Sequence, residues 1–251
     1  MDWIILTVLA FIAGLVDAVV GGGGLIQIPA LFTFEPLAPA AAILGTNKFA
    51  SIFGTASAAV RYARRIAVPW KAALPAAIAA FVFSYLGAMA VTLLRRELLR
   101  PLVLVLLIAV AGYTLVRKDF GSIDEHRVHG RGDTLLALFF GAGIGFYDGF
   151  FGPGTGSFLI FLFIRFFGFD FLRASSAAKI VNVATNGAAL IYFGAHGHVM
   201  WMTAVLMATA NIAGAFVGSH LALRHGSRFV RRIFLVVATA LIVKFGYDSV
   251  F

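Results

Sequence analysis

Cysteine is absent from this chain of 251 residues. Disulfides, thiol catalysis and cysteine-ligated metal sites are therefore excluded. Charged residues are also scarce, at 12% of the sequence, whereas soluble domains carry about 25%. Hydrophobic residues reach 61%, and the mean hydropathy is +0.96. A soluble core cannot bury that much apolar surface, so the sequence predicts an integral membrane protein.

Segments that alternate between apolar and polar residues are lacking too. A transmembrane β-barrel would show such alternation in stretches of about ten residues. The chain has instead continuous apolar runs of about 16–25 residues, a length that lets a helix cross a hydrocarbon core of about 30 Å. The fold class predicted is an all-α polytopic membrane protein in a lipid bilayer. The first apolar run follows no basic region and contains no small-residue cleavage site, so we interpret it as mature structure.

Catalytic and cofactor motifs are missing as well. No Walker A, His-Glu-x-x-His or Gly-x-Ser-x-Gly pattern occurs, so the expectation is a protein that is not an enzyme. The histidines lack carboxylate or cysteine partners at metal-site spacing, so neither a metal nor a cofactor is expected. The net charge of +9 comes largely from short loops between apolar runs. Membrane orientation explains those charges better than nucleic-acid binding does.

An internal repeat relates the two halves of the chain at an offset of 131 residues. One local slip occurs, because Gly24 matches Gly156 better when one residue is added. The repeat predicts a first unit over 3–117, a polar linker over 118–133 and a second unit over 134–248. The pairs at this offset include Gly14 and Gly145, Asp17 and Asp148, Gly21 and Gly152, Gly23 and Gly154, Lys48 and Lys179, Trp70 and Trp201, Gly87 and Gly218, and Arg100 and Arg231.

Each unit is predicted to contain one broken helical hairpin and three transmembrane helices. In repeat 1 these are the hairpin 3–34 and helices 43–62, 72–94 and 101–116. In repeat 2 they are the hairpin 135–167 and helices 175–193, 199–223 and 233–248. Whether the hairpin arms span the membrane or are re-entrant stays open, although ten residues from Leu25 to Phe34 make roughly 15 Å of helix.

Positive loop residues indicate how the two units are oriented. If each broken segment crosses the membrane once, the units are parallel and the loop positives divide eight against nine. If each segment enters and returns, fourteen lie on one side and only Arg95, Arg96 and Arg100 lie opposite. The positive-inside rule favours the second arrangement. We therefore predict inverted-topology repeats with cytoplasmic basic loops and both termini outside.

Glycine clusters interrupt the first apolar run of each unit. Glycine weakens a helix by about 1 kcal/mol relative to alanine, so each cluster should be unwound backbone followed by a helix N-terminus, at about Leu25 and Ser157. Such N-termini bind anions, and paired breaks in two halves point to a transporter site. The alternative is that the glycines only let helices pack closely. The candidate tip residues are Gly21, Gly22, Gly23, Gly24, Gly152, Gly154, Thr155, Gly156 and Ser157.

Lysines occur at equivalent depths in the two units. Lys48 and Lys179 lie about five residues into their apolar runs, roughly 7 Å from the start. A lysine inside a membrane usually marks a pathway or a paired site, although at this depth it could also snorkel to the interface. We interpret both as charge complements of an anion. Nearby amides would add donors from Asn47, Asn182 and Asn186, whereas Asn211 fits a donor and a helix-packing role equally well.

Carboxylates precede both tips. Asp17 and Asp148 lie four residues before the first tip glycine. A membrane carboxylate can pair with a lysine or carry a coupling proton. It can equally stabilise the tip by accepting bonds from unwound N–H groups. The sequence favours neither the coupling role nor the tip-stabilising role.

These motifs resemble those of the sulfite exporter TauE/SafE family of membrane permeases. The resemblance rests on D-A-V-V-G-G-G-G-L-I-Q-I-P-A-L and L-G-T-N-K in the first half, and on D-G-F-F-G-P-G-T-G-S-F and A-A-K-I-V-N in the second. It covers both units and implies secondary transport of small anions, often sulfur-containing ones such as sulfite or sulfoacetate, across a bacterial inner membrane. For the tips and the two lysine regions it implies a binding role.

The expected function is therefore a secondary transporter of small oxyanions, coupled to protons rather than sodium because no carboxylate cluster suits Na⁺. A passive anion channel of the same architecture is the alternative. The expected partners are a small anionic substrate and the lipid bilayer, and no nucleic acid. A homo-oligomer is compatible with the sequence. Transport direction and the identity of the anion stay open.

Overall fold

The computed structural model describes residues 2–91 and 131–250, and all regular secondary structure within them is helical. This confirms the predicted all-α class. The predicted helix 101–116, the three arginines of 95–100 and most of the 118–133 linker lie outside the described residues. The helices are α1 (Asp2–Val20), α2 (Gly24–Phe34), α3 (Ala40–Ala63), α4 (Trp70–Ala90), α5 (Arg131–Phe150), α6 (Thr155–Phe167), α7 (Phe171–Ala195) and α8 (Trp201–Val250).

Helix length separates the membrane-crossing elements from the short ones. Three stretches in the described part of the chain are long and apolar enough to cross a bilayer, namely Trp3–Val20, Trp70–Ala90 and Trp201–Val237. Helices α2 and α6 have 11 and 13 residues, which is roughly half of a bilayer core. Helices α3 and α7 have 24 and 25 residues and carry more than half of the buried polar side chains in the described part of the chain. The chain is a polytopic all-α membrane protein.

Helix α8 contains a break where the sequence predicts a loop between 223 and 233. Gly226 has φ 76° and ψ −174°, so its backbone is not helical. The chain continues as a helix on both sides of this glycine. At the break, the N–H of Leu172 donates to Ser227 Oγ at 3.3 Å, which ties the start of α7 to α8.

Both glycine clusters reverse the chain. Gly21 (φ +79°) and Gly152 (φ +92°) adopt a left-handed conformation that residues with a side chain rarely take. After the first turn, Gly23 packs against Ala13 in the middle of α1, so α2 returns antiparallel to α1. After the second turn, α6 returns along α5: Phe166, near the end of α6, packs against Phe140 with ring centroids 4.7 Å apart.

Helices of one half pack closely on helices of the other. Helix α1 lies along α8, where Gly14 meets the Asn211 backbone and Gly218 meets the Leu15 backbone. At the positions equivalent by the offset, Gly145 meets Ala80, and Gly87 meets Phe146, which joins α5 to α4. None of these glycines leaves room for a Cβ. Small residues of this kind allow membrane helices to approach without hydrophobic driving force.

The relative directions of packed helices follow from which residues meet along each pair. Residue numbers rise together along α1 and α8, along α4 and α5, along α3 and α8 (Gly45 with His198, Gly54 with Asn211), and along α4 and α7. They rise in opposite senses along α3 and α7, where Gly45 meets Phe193 and Gly187 meets Ile52. Helices α1, α3 and α8 therefore run one way, and α5, α7 and α4 run the other. Each described helix of the second half is antiparallel to its equivalent in the first half.

Candidate functional site

Two lysine–aspartate ion pairs join the halves at the centre of the molecule. Lys48 Nζ lies 2.7 Å from Asp148 Oδ1. Lys179 Nζ lies 3.2 Å from Asp17 Oδ2 and also donates to the Asp17 backbone oxygen. Each lysine therefore pairs with the aspartate of the other half. Exchanging the halves converts one pair into the other, which is the relation that a two-fold axis produces.

The Lys48–Asp148 pair is closed off from the surroundings. The two side chains are 2% and 5% exposed. Thr155 Oγ lies 2.8 Å from Asp148 Oδ1 and 2.8 Å from the Gly152 oxygen, so its single proton bonds to one of them at a time. Asp148 Oδ2 is buried and has no hydrogen-bond partner within the described residues. A buried carboxylate oxygen without a donor is unfavourable by several kcal/mol if it stays charged.

The Lys179–Asp17 pair is more open on its acidic side. Lys179 is 0% exposed, but the Asp17 side chain is 16% exposed. Thr55 Oγ also donates to Asp17 Oδ2 at 3.2 Å. Because Lys179 binds a backbone carbonyl in the last turn of α1, its charge also complements the negative end of that helix.

The two tips touch each other. Gly21 and Gly156 are in backbone contact that leaves no space for a Cβ on either residue. The N–H of Ser157 donates to the Gly21 oxygen at 3.3 Å, and Ser157 Oγ donates to the Val20 oxygen at 2.8 Å. Ser157, predicted as an anion donor, thus caps the carboxyl end of α1 in this state, and Thr155 is engaged with Asp148 and Gly152.

The first turn of α2 keeps its donors open. Gly23 is buried and Gly24 is half-buried, and their N–H groups have no acceptor in the described part of the chain. Gly24 packs beside Gly152, and a Cβ on Gly152 would lie 2.9 Å from Lys48 Nζ. No side chain within the described ranges caps this helix. An uncapped buried N-terminus beside a lysine is an arrangement that suits an anion.

Two tip glycines are placed among apolar side chains instead. Gly22 faces Val16 and Val237, and Gly154 faces Leu25 and Phe158. Their surroundings fit the alternative that glycine serves close packing.

The predicted amides lie on the central helices. Asn47 on α3 and the α7 residues Asn182 and Asn186 are 4%, 5% and 7% exposed. The Oδ1 atoms of Asn47 and Asn182 are buried without a partner within residues 2–91 and 131–250. The Asn182 amide nitrogen approaches Gly156 at the second tip. Asn211, by contrast, donates to the Ala10 oxygen at 3.3 Å and therefore serves helix packing.

Sequence reasoning missed Gln27. Its side chain is 0% exposed, its Oε1 accepts from Ser51 Oγ at 3.2 Å, and its Nε2 is buried without a partner among the described residues. Gln27 lies one turn after Gly23 on α2, and side chains of a helix are generally tilted toward its N-terminus. The available signal was a glutamine inside the apolar run L-I-Q-I-P. Thr55, which donates to Asp17, was missed for the same reason.

Within the described ranges, no three histidine, aspartate or glutamate side chains lie close enough together to hold a metal ion. The arrangement instead combines two ion pairs, the open backbone donors of α2 and the Gln27 Nε2 donor, which has no partner among the described residues. Such a set can bind a small oxyanion through charge and hydrogen bonds.

Comparison with known proteins identifies close relatives over nearly the full chain. A family profile described as "Sulfite exporter TauE/SafE" matches residues 6–245. The chain is 38% identical over 244 residues to the probable membrane transporter protein ORF9 of Sinorhizobium sp, covering 97% of this chain and 92% of the relative. It is 35% identical over 246 residues to the probable membrane transporter protein YfcA of Escherichia coli K12, covering 98% and 90%. A probable membrane transporter protein of Haemophilus influenzae is 32% identical over 245 residues, covering 98% and 94%. No solved structure matches the chain.

Proposed function

The chain belongs to the TauE/SafE sulfite exporter family of membrane transporters, and from that premise we propose that it is a proton-coupled secondary transporter of small anions in the bacterial inner membrane. The family description names sulfite, and the resemblance of the sequence motifs implies organosulfonates such as sulfoacetate as further candidate substrates. The basic loops face the cytoplasm in this proposal, and both termini face outward.

The observation that carries the proposal is the open first turn of α2 beside Lys48. The N–H groups of Gly23 and Gly24 and the Nε2 of Gln27 are donors without acceptors in the described ranges. Helix N-termini at the midplane, presented by broken helices, are the anion sites of several transporter folds. Asn47, one residue before Lys48, adds an amide to the same helix.

The antiparallel helix directions support two inverted repeats over 3–117 and 134–248. In such folds the hairpins enter from opposite faces and the site lies where their tips meet. Here Gly21 and Gly156 are in contact, and each ion pair takes one residue from each half. Rocking of one half against the other would then expose the site to one face at a time.

A passive anion channel is the alternative. Touching tips and lysines that are 2% and 0% exposed favour a gated site over an open pore. The two functions differ in thermodynamics, because a channel only dissipates gradients whereas a coupled transporter moves its anion uphill.

Flux into liposomes tests the proposal. Purified protein would be reconstituted, and sulfite and sulfoacetate accumulation would be followed under an imposed proton gradient. We expect accumulation above the equilibrium level with the wild type and none with Lys48→Ala. The control is Asp170→Asn, which keeps the N-terminal cap of α7 and lies away from the tips. Downhill movement alone would favour the channel, and absence of both would reject small sulfur anions as substrates.

Binding gives an independent readout of the same site. A ligand stabilises the fold by RT ln(1 + [L]/Kd), so about 100 Kd of the correct anion adds roughly 2.7 kcal/mol. Thermal unfolding in detergent with sulfite, sulfoacetate, sulfate, phosphate and a carboxylate would rank the candidates. Equal stabilisation of wild type, Lys48→Ala and Lys179→Ala would contradict the assignment of the lysines.

A further inference from the structure

We propose that the Asp148 carboxylate occupies the place of the substrate anion at Lys48, and that protonation of Asp148 releases Lys48 to bind the substrate. This inference rests on the proposed function and concerns how its site is controlled. It makes Asp148 an internal competitor of the anion rather than part of the substrate's binding surface.

The net charge of the buried site limits what Lys48 can bind. Lys48 and Asp148 are 2% and 5% exposed and 2.7 Å apart, so together they are a buried neutral unit. An anion that bound Lys48 while Asp148 stayed ionised would bring two negative charges to one buried positive charge. Like charges in a shared buried site disfavour the charged state of one partner. The site stays neutral if one proton enters with each negative charge that Lys48 takes over.

Asp148 has one carboxylate oxygen that is available to a proton. Asp148 Oδ1 receives both Lys48 and Thr155, whereas Oδ2 has no partner within the described residues. A proton from water would add to Oδ2 and convert the carboxylate into a carboxylic acid. No bond other than this O–H forms. The lysine ammonium keeps its own proton and changes only its counter-ion, from Asp148 to the substrate.

The substrate would lie between Lys48 and the N-terminus of α2. Gly152 lies next to both groups: a Cβ added to it would lie 2.9 Å from Lys48 Nζ, and a Cβ added to Gly24, at the open N-terminus of α2, would lie 3.7 Å from the Gly152 oxygen. An anion between Lys48 and that N-terminus would meet the unpaired N–H groups of Gly23 and Gly24. It would replace one carboxylate by an oxyanion and would satisfy donors that Asp148 does not reach.

Among the described residues, few other charged groups lie on the helices that pack around Asp148. Lys48 faces it from α3, and Tyr147 precedes it on α5 and donates to the Pro153 oxygen at 2.6 Å. Helix α7 contributes Lys179, which is paired with Asp17 of α1. Helices α4 and α6 carry their charged residues, Lys71 and Arg165, in their outermost turns. Asp148 and Lys48 are therefore the groups whose charge the exchange changes.

The experiment measures sulfoacetate affinity between about pH 6 and pH 8, where a simple carboxylic acid stays ionised. Because one proton accompanies each anion in this proposal, the affinity of the wild type for sulfoacetate is expected to fall by up to about tenfold per pH unit across this interval. Asp148→Asn, which cannot carry the negative charge, is expected to bind at least about tenfold more tightly at the upper pH and to lose that pH dependence. Asp170→Asn is the matched control and should bind as the wild type does.

Proton uptake on binding keeps the test decisive if Asp148→Asn does not fold. Calorimetry in buffers of different ionisation enthalpy counts the protons that the wild type takes up with each anion. Uptake supports the exchange, and a folded Asp148→Asn should take up one proton fewer. Wild-type binding without proton uptake, or weaker binding by Asp148→Asn, would overturn this inference and leave the proposed function standing. If sulfoacetate, sulfite and sulfate bind neither protein, the proposed function fails as well.

Discussion

The two ion pairs occupy equivalent positions in the repeat, yet their surroundings differ. At Lys48 the aspartate is enclosed, one of its oxygens lacks a partner in the described part of the chain, and an open helix N-terminus lies nearby. At Lys179 the aspartate is partly exposed, and at the N-terminus of α6 the Ser157 N–H and Oγ donate to the Gly21 and Val20 oxygens at the end of α1. The comparison favours Lys48 as the site of the proposed exchange with a ligand, whereas Lys179 joins α7 to the carboxyl end of α1.

Substitution of Lys48 should cause the largest loss of stability. Lys48→Ala leaves Asp148 buried and unpaired, which should lower the free energy of unfolding by about 3–5 kcal/mol. The double variant Lys48→Met with Asp148→Leu removes both charges and should recover most of that stability without restoring transport. Reversible unfolding in mixed detergent, followed by tryptophan fluorescence, measures both. A double variant as unstable as the single one would contradict a buried ion pair at this position.

The contact between the tips should produce the next largest effect. Gly21→Ala combines a left-handed backbone, at about 1–2 kcal/mol, with overlap against the Gly156 backbone, for a total of about 2–4 kcal/mol. Gly152→Ala should be milder, since its Cβ meets the movable ends of Asp148 and Lys48. Gly143→Ala on α5 is the control, because no atom of the described residues lies within 4 Å of its added Cβ, and it should be neutral or stabilising. Equal losses at Gly21 and Gly143 would argue against touching tips.

Lys179→Ala should have a smaller effect on stability than Lys48→Ala. Asp17 would keep its hydrogen bond from Thr55, and its side chain is partly exposed. The expected loss in the free energy of unfolding is therefore about 1–3 kcal/mol. The same unfolding assay compares the two lysine variants side by side. A loss at Lys179 equal to or larger than the loss at Lys48 would reverse the roles assigned to the two pairs.

The smallest expected difference concerns the two hydroxyls. Thr155→Val and Thr55→Val each remove one donor from an aspartate, at about 1 kcal/mol. Thr155→Val should cost more, because Asp148 Oδ1 shares the enclosed pair while Asp17 is partly exposed. Unfolding of both valine variants measures the difference, with Thr209→Val on α8 as a control for an exposed hydroxyl that bonds its own helix.

Sequence patterns predicted the helical class and the tip residues that the structure brings together. Composition alone indicated a membrane protein, because too few polar residues were present to cover a soluble surface. The glycine clusters were located correctly, since four adjacent glycines cannot continue a helix. Gln27 was missed, because a single amide in an apolar run has no periodic signal. The alternatives for Asp17 and Asp148 stayed open, since pairing depends on which residues meet across 100 or more positions in the chain.

From the amino-acid sequence alone one can identify the residues able to bind an anion and their duplication at one offset. Local effects suffice for that, because glycine, lysine and aspartate have fixed conformational and electrostatic properties wherever they stand. Three further features are visible only in the tertiary structure. Each lysine pairs with an aspartate of the opposite half, Ser157 caps α1, and the N–H donors at the start of α2 have no acceptor among the described residues. Those outcomes depend on how two nearly equivalent hairpins pack against each other. Packing differences of this kind distinguish sites that the repeat makes equivalent.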